Sequence, residues 1–371
     1  MKQLRTITLL GALAWSSCSQ PLSPIERSLA WLTSQQHPDG LWRSQTYGVL
    51  RRGESTTAAI ALALAKLPHT PNTPHPELLA RTLRALAERR APSAPTPPEP
   101  VDYPCFTAAH RLHALALAHP EGWRRQADEL LVFLHQRQLG EAQGWPPDAP
   151  EFGSFGLGDR LPHHPDGGDL AGLAVTTAVL EAAAASGLPP TDPLFRQART
   201  FVERCQRSDG DGGFFGAPTE DWHATKAGFE RSERGEPRPR SYGTATADGV
   251  LALLALGDPL DSRRVQQALA WLDEHTGRMV PGLQYAAEAT LEPSLRLYWL
   301  ARLAAVARAA PAHPRAAKWR QLVLTEMSRQ QSSNGRFVGL AAAMKEDDAL
   351  VATALGLSAL AELMAHPAVG R

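Results

Sequence analysis

The segment WLTSQQHPDGLW, residues 31–42, decides the fold, because a pattern in it returns along the chain. Trp31 and Leu32 are followed by Gln36, and then by Gly40 and Trp42, with three residues in each of the first two gaps. Recurrence of one pattern along a chain is typical of repeat architectures, in which each repeat is one supersecondary unit. The segment therefore predicts a set of similar units.

Further copies of this pattern are nearly complete or partial. Their residues are Phe133, Leu134, Gln138, Gly144 and Trp145; Phe201, Val202, Gln206, Gly212, Gly213 and Phe214; and Gln331, Gly335 and Phe337. Trp271 and Leu272 open another copy, which lacks the Gln and the closing aromatic residue. After each opening segment comes a loop and then an apolar stretch rich in Ala, Leu and Thr. Such a stretch is apolar nearly all round and predicts a helix that is buried on most sides.

The opening segments are amphipathic, so they should form an outer layer around the apolar helices. The pattern predicts six outer helices near 24–36, 76–90, 122–138, 193–207, 262–275 and 314–331. It predicts six inner helices near 54–67, 103–118, 169–186, 244–256, 292–309 and 348–364. No segment shows a convincing strand pattern. A closed ring would bury the inner helices, whereas an open solenoid would leave them half exposed.

The motif at residues 31–42 resembles the QW motif of triterpene cyclases. The chain as a whole resembles the terpenoid cyclase and protein prenyltransferase superfamily, including squalene–hopene cyclases. This resemblance implies an all-α fold, an (α/α)6 toroid, formed by one domain over residues 19–371. In that family the Gln bonds helix-end carbonyls, the aromatic ring packs over it and the Gly permits the turn. The fold alone does not identify the function.

The resemblance also supplies candidate acids. Cyclases of this family protonate an alkene with the middle Asp of an Asp-x-Asp-Asp motif at the start of an inner helix. The nearest match is residues 345–348, with Asp347 in the acid's place and Asp348 in the last. Lys345 replaces the first Asp, and a neighbouring cation would lower the pKa of an acid that must be protonated. Asp248, within residues 241–249, is the second candidate acid. The alternative for each carboxylate is a helix N-cap.

Two predicted loops, residues 140–168 and 208–243, are unusually long for a compact domain, and such loops are often functional. Together with the starts of the inner helices they predict a ligand-binding rim. Its candidate residues are aromatic: Trp145, Phe155, Phe214, Phe215, Trp222 and Tyr242.

The sequence favours no cofactor and no metal. The zinc site of protein prenyltransferases would need Asp two residues before a Cys, but Tyr103 precedes Cys105 and Glu203 precedes Cys205. Two alternatives remain weak: His163, His164, Asp166 and Asp169 have metal-ligand chemistry without a known spacing, and residues 209–213 lack the later Glu of a calcium loop. Lys plus Arg and Asp plus Glu are equal at 38 each, which gives no indication of nucleic acid binding.

The first 18 residues are typical of a secretory signal peptide. Lys2 and Arg5 precede an apolar stretch at residues 7–15, which is too short to span a bilayer. Small residues then lead to Cys18, an arrangement that resembles a bacterial lipobox. We therefore expect lipidation of Cys18 and a membrane-anchored protein on the periplasmic face of the cell envelope; without lipidation the protein would be secreted.

Several functions are compatible with these features. The altered acid motif favours a toroid that binds a ligand or an envelope protein without cyclase activity. Aromatic residues make up only 6% of the chain, and the inner helices offer a cation few besides Phe106, Tyr298 and Trp299. The alternatives are a terpene cyclase or isomerase that uses Asp347 or Asp248 as general acid, a carbohydrate-active enzyme on an α/α barrel, and a scaffolding role.

Overall fold

A computed structural model of the chain describes residues 22–68, 75–89, 103–158, 172–219, 224–232 and 234–364. Helices form nearly all of the regular structure in these ranges. They are α1 (Pro24–Gln35), α2 (Glu54–Ala65), α3 (His75–Ala87), α4 (Pro104–Ala118), α5 (Trp123–Arg137), α6 (Leu173–Ala185), α7 (Pro193–Arg204), α8 (Gly243–Ala255), α9 (Arg263–His275), α10 (Leu291–Ser294), α11 (Arg296–Ala309), α12 (Ala316–Gln330) and α13 (Ala349–Met364). The predicted helix bounds differ from these by at most about four residues at either end.

Six of these helices form a closed inner ring. In order around the ring, α2 packs on α4, α4 on α6, α6 on α8, α8 on α11, α11 on α13, and α13 again on α2. The helices α1, α3, α5, α7, α9 and α12 lie outside this ring, each against one or two inner helices. The predicted all-α (α/α)6 toroid is therefore confirmed.

The distribution of apolar residues explains the two layers. In α7, Leu194, Phe195, Ala198, Phe201 and Val202 are buried and form one face, as in an amphipathic helix against a core. In α8 the residues from Gly243 to Leu253 are all buried, so that helix has no solvent face. Burial of apolar surface therefore drives α7 to the outside of the toroid and α8 to the inside.

The recurring Gln, Gly and aromatic residues join neighbouring units in one repeated arrangement, which we call the Gln–Gly–aromatic motif. The amide of Gln206 donates hydrogen bonds to the Gly212 carbonyl of its own loop and to the Arg264 carbonyl of the next outer helix, at 3.0 and 2.9 Å. The backbone N–H of Phe214 donates to Thr246 of the following inner helix. Each motif therefore holds an outer helix, its loop, the next inner helix and the next outer helix together.

The motif at Gln331 closes the ring. Its amide donates to the Pro24 carbonyl at the start of α1 and to the Gly335 carbonyl of its own loop. Gly335 has φ of +93°, and a Cβ there would lie 2.2 Å from the Arg27 carbonyl oxygen, so only glycine fits this approach. The last outer helix is thereby joined to the first.

The second motif contains a correction. We predicted that Gly144 and Trp145 close the copy that begins at Phe133, but Gln138 pairs with Phe155 and bonds the Gly153 carbonyl. Residues 141–152 are an insertion within the loop, in which Trp145 packs with Leu139, Ala149 and Phe152 in a small cluster of its own. Phe155, not Trp145, is therefore the counterpart of Trp42.

A second difference lies in the long loop before α8. Where no strand was predicted, residues Phe229–Arg231 (β1) and Pro237–Pro239 (β2) pair as a short antiparallel hairpin. The strands carry mostly charged and proline residues and lie at the surface, so they lack the alternating apolar pattern by which strands are identified. None of the helices within the described ranges is long and apolar enough to span a bilayer.

Candidate functional site

The inner ring encloses a cavity of about 370 Å³. All six inner helices contribute to its wall, because each turns one side toward the axis of the toroid. Most lining residues are apolar, among them Leu50, Ala59, Leu62, Phe106, Leu157, Leu173, Ala174, Ala245, Leu295, Met344, Val351, Ala354 and Leu355. Such a concave apolar space with a few polar groups is the usual form of a small-molecule site.

The mouth of the cavity lies at the end where the inner helices begin. One outer helix separates each inner helix from the next, so the inner helices run in the same direction and their N-termini gather at one end. Lys226, Lys345, Tyr103 and Tyr242 lie there and line the cavity. The Lys345 ammonium is 5.6 Å from the ring centre of Tyr103 and 5.7 Å from that of Tyr47, within cation–π range.

Asp248 is the buried carboxylate of α8 that faces the cavity. It accepts hydrogen bonds at 3.0 Å from the Tyr298 hydroxyl and forms an ion pair at 2.6 Å with Nε of Arg302, both on α11. Burial raises the pKa of Asp248 to about 6, although Arg302 and Tyr298 favour the carboxylate and oppose the rise. At neutral pH the group is therefore mainly a carboxylate that already has two partners.

The end of the inner ring opposite the mouth contains buried charges in contact with each other. Arg302 bonds Glu181 of α6 at 2.9 Å, and Lys66 bonds Glu362 of α13 at 2.7 Å, with Arg308 as a second partner of Glu362. Burial would raise the pKa of Glu362, but Lys66 and Arg308 outweigh it and lower that pKa to about 2. These charges neutralise one another within the protein.

Two histidines of α4 belong to the same region. His110 lines the cavity, and its Nδ1 has no hydrogen-bond partner among the described residues. Burial lowers the pKa of His110 to about 3 and that of His113 to about 4, so both are neutral at physiological pH. A neutral imidazole has one nitrogen that donates and one that accepts a hydrogen bond.

Glu346 also lines the cavity, and it caps a helix from outside that helix. Its carboxylate accepts hydrogen bonds at 2.8 and 2.7 Å from the backbone N–H groups of Leu297 and Tyr298, in the first turn of α11. Burial raises its pKa to about 7, against the lowering effect of these two N–H groups. No sequence pattern predicted this role for Glu346, because only the path of its loop brings Glu346 to the start of α11.

The predicted acid pair does not enter the cavity lining. Asp348 accepts hydrogen bonds from the Leu350 and Val351 N–H groups, as the N-cap of α13, and from the Ser44 hydroxyl. Asp347 accepts a hydrogen bond from the Tyr47 hydroxyl at 2.6 Å. The alternative that we gave for these acids, helix capping, therefore applies to Asp348, and of the three candidate acids Asp248 faces the cavity.

The predicted aromatic rim is divided among different places. Trp145, Phe155, Phe214 and Phe215 are all buried in packing contacts. Phe155 and Phe214 close Gln–Gly–aromatic motifs, whereas Trp145 packs in the cluster of the insertion. Tyr242 is also buried, but it lines the cavity. Trp222, Cys18 and the histidines at 163 and 164 lie outside the described residues.

No sequence pattern predicted a place in the site for Lys226, His110 or Arg302, or a contact between Tyr298 and Asp248. A signal existed for those on helices: His110, Tyr298 and Arg302 are polar residues within the otherwise apolar inner helices. A polar residue there must find a partner or face a cavity. Lys226 gave no such signal, since it lies in a loop.

No group of His, Cys, Asp and Glu side chains within the described residues has the arrangement of a metal site. Cys105 and Cys205 are buried and form no disulfide within the described residues. The predicted calcium alternative at residues 209–213 contains a different feature, because Arg207 and Arg238 neutralise Asp209 in an ion-pair cluster.

Comparison with known proteins places the fold. No protein-family model and no curated protein matches the sequence. Among solved structures, the type II terpene cyclase MstE from Scytonema is 16% identical, with a TM-score of 0.56 over 91% of this chain and 96% of that one. The α-1,6-mannanase GH76A of Salegentibacter sp. HEL1_6 is 12% identical, with a TM-score of 0.57 over 91% and 97%.

Both neighbours are α/α toroids, so this chain is a protein of the α/α-toroid class. At such low identities the similarity shows the fold and not the activity. The resemblance to terpenoid cyclase-like toroids, inferred from the Gln–Gly–aromatic motifs, is therefore confirmed for the fold.

Proposed function

We propose that the protein binds an elongated, mainly apolar small molecule inside its central cavity and does not protonate alkenes. The observation that carries the proposal is the cavity itself, about 370 Å³ in volume and lined mostly by apolar side chains of six helices. Ligand sites in proteins typically enclose about 300–1,000 Å³. Filling the cavity would remove apolar surface from water on both partners.

The state of Asp248 supports binding over cyclisation. A group that protonates an alkene must be a strong acid that carries its proton. Burial raises the pKa of Asp248 to about 6, but Arg302 and the Tyr298 hydroxyl oppose this rise and favour the carboxylate. Asp347 and Asp348 have other hydrogen-bond donors and do not line the cavity.

The structural neighbours suggest a chemical class for the ligand. A variant of MstE was solved in complex with its substrate, geranylgeranyl dihydroxybenzoate, and has a TM-score of 0.57 to this chain. We propose by analogy that a polyprenyl or similar hydrocarbon chain occupies the cavity here. The mannanase suggests a carbohydrate instead, but the apolar lining and the burial of Trp145 and Phe214 do not favour a sugar-binding groove.

Binding of a neutral fluorescent polyene, parinaryl alcohol, tests the proposal. Ala59→Phe fills the cavity from α2, and Ala174→Phe fills it from α6. Ala185→Phe at the exposed end of α6 is the matched control. We expect saturable binding to the wild type and the control, and at least tenfold weaker binding to both cavity variants when circular dichroism shows all four to be folded. Equal binding to all four would contradict the proposal.

A second candidate function is a terpene cyclase or isomerase, and one observation favours it: Asp248 is a buried carboxyl that faces the cavity. Incubation with geranylgeraniol or squalene, followed by gas chromatography and mass spectrometry, distinguishes the two functions. Our proposal predicts unchanged substrate. A cyclised or isomerised product that disappears in Asp248→Asn would replace it with the enzymatic function.

We further propose that the protein is attached to the cell envelope through lipid on Cys18, on the periplasmic face. The support is the arrangement of Lys2, Arg5, the apolar stretch at 7–15 and the small residues before Cys18. Mass spectrometry of the mature N-terminus tests this proposal. A lipid-modified Cys18 is expected, and an unmodified terminus at another residue would contradict it.

A further inference from the structure

Two cationic side chains lie at the cavity mouth. Lys226 and Lys345 both line the cavity, and no ion pair joins either of them to a carboxylate within the described residues. The carboxylates that share the lining are engaged elsewhere: Asp248 pairs with Arg302, and Glu346 accepts two backbone N–H groups. Two ammonium groups therefore lie at one end of the lining, and no carboxylate of the described residues is in direct contact with either.

The surroundings of each lysine fit this interpretation. Burial lowers the pKa of Lys226 and the field of Asp248 only partly offsets that effect, so an anion beside Lys226 would favour its charged form. Lys345 lies against the rings of Tyr47 and Tyr103, which solvate a cation without neutralising it. Lys345 also has φ of +63° and Tyr103 has φ of +30°, left-handed conformations that are unusual for residues other than glycine. Strain of this kind is concentrated at functional sites.

The helix ends at the mouth add to the positive potential. α2, α4, α6 and α8 begin there after Gly53, Tyr103, Gly172 and Tyr242, and no side chain of these residues accepts a capping hydrogen bond. The first N–H groups of α6 and α8 donate to the Gly216 and Pro281 carbonyls, but the dipole of each of these helices still favours an anion near its N-terminus. α11 and α13 differ, because Glu346 and Asp348 cap them.

The opposite end of the cavity offers an anion no such partner. His110 is neutral there, and the buried charges beyond it are paired among themselves. An anion placed at that end would be desolvated without compensation, which is costly. The two ends of the cavity therefore differ in electrostatic character.

We infer that the ligand carries an anionic head group, a carboxylate or a phosphate, which Lys226 and Lys345 bind at the mouth while its apolar chain extends along the inner helices. This inference rests on the proposed function and adds the charge and the orientation of the ligand. A charge-assisted hydrogen bond to an ammonium group is stronger than a neutral one, so the head group contributes affinity as well as direction.

Matched fluorescent probes test the inference. Parinaric acid and parinaryl alcohol share one polyene chain and differ in the head group, so the ratio of their affinities at pH 8 isolates the effect of charge. Lys226→Gln and Lys345→Gln remove the cations, and Lys318→Gln on the exposed face of α12 is the control. Dodecanoate and dodecyl phosphate, as competitors of the bound acid, distinguish a carboxylate from a phosphate preference.

We expect the wild type to bind the acid about tenfold or more tightly than the alcohol. Each cavity lysine variant should reduce that ratio at least threefold, Lys345→Arg should keep it close to the wild-type value, and Lys318→Gln should leave it as in the wild type. Equal affinities of the wild type for acid and alcohol, or lysine variants that weaken both probes alike, would overturn the inference alone. If neither probe binds, the proposed function fails and the inference fails with it.

Discussion

Gln138→Met tests directly whether the Gln–Gly–aromatic motifs hold neighbouring units of the ring together. The Gln138 amide is buried and donates to the Gly153 and Leu194 carbonyls at 3.1 and 2.9 Å. Met preserves length and most of the packing but cannot donate. Each lost hydrogen bond costs about 0.5–1.5 kcal/mol net, and each carbonyl left without a donor adds up to about 1–3 kcal/mol. We expect a loss of roughly 2–4 kcal/mol in the free energy of unfolding.

Equilibrium urea unfolding followed by far-ultraviolet circular dichroism measures this loss through the transition midpoint at constant slope. Gln321→Met, at an exposed position of α12, is the matched control and should change stability by less than about 0.5 kcal/mol. If Gln138→Met were as stable as this control, the motif would not hold neighbouring units together.

The other predictions concern the close contact of Gly153 with a neighbouring backbone, the buried charge of Glu362 and the hydroxyl of Thr246. Gly153→Ala should destabilise by several kcal/mol more than Gly257→Ala in thermal unfolding, because both have φ near +90° but only at Gly153 would a Cβ meet a backbone oxygen, at 1.9 Å; equal losses would refute the close approach. Glu362→Gln should cost about 3–5 kcal/mol at pH 7, since it leaves buried cations without their partner. The difference from wild type should shrink as the pH falls from about 4.5 toward 2, because the native pKa of Glu362 is depressed to about 2 and its contribution is lost as the carboxylate protonates; a difference independent of pH would contradict this. Thr246→Val should cost about 1–3 kcal/mol in urea unfolding by removing the acceptor of the Phe214 N–H, and an unchanged midpoint would count against that bond.

The ring could be predicted from the sequence because its physical causes are local and repeated. The inner helices are apolar on every side and the outer helices on one, so their layers follow from composition alone. Gln36, Gln206 and Gln331 are each followed at a short spacing by a glycine and an aromatic residue, which indicates that the same connection between units recurs. These features also gave helix bounds close to those of the structure.

The second Gln–Gly–aromatic motif could not be assigned correctly from the sequence. The insertion at residues 141–152 carries its own glycine and aromatic residue, Gly144 and Trp145, at a more familiar spacing than Gly153 and Phe155. Spacing alone favoured the wrong pair. The correct pair is set by the approach of Gly153 to α7, a contact between units that spacing within one unit does not report.

The candidate site depended on contacts between distant segments. Asp248 was predicted as a candidate acid, but its partners Tyr298 and Arg302 lie about fifty residues further along the chain, and their contacts decide that it is a carboxylate. Lys226 reaches the cavity only through the path of a long loop. The positions of these side chains depend on contacts between distant segments. Sequence patterns therefore identify the helices that surround the cavity more readily than the charged residues that line it.

The most direct test of the central claim is a crystal structure of the protein soaked with a long-chain alcohol that carries bromine at its far end, measured for anomalous scattering. Our account predicts a bromine peak inside the inner ring, in contact with Leu62 or Leu355, with continuous density along the inner helices. A peak only on the outer surface, with the interior free of the alcohol, would contradict it.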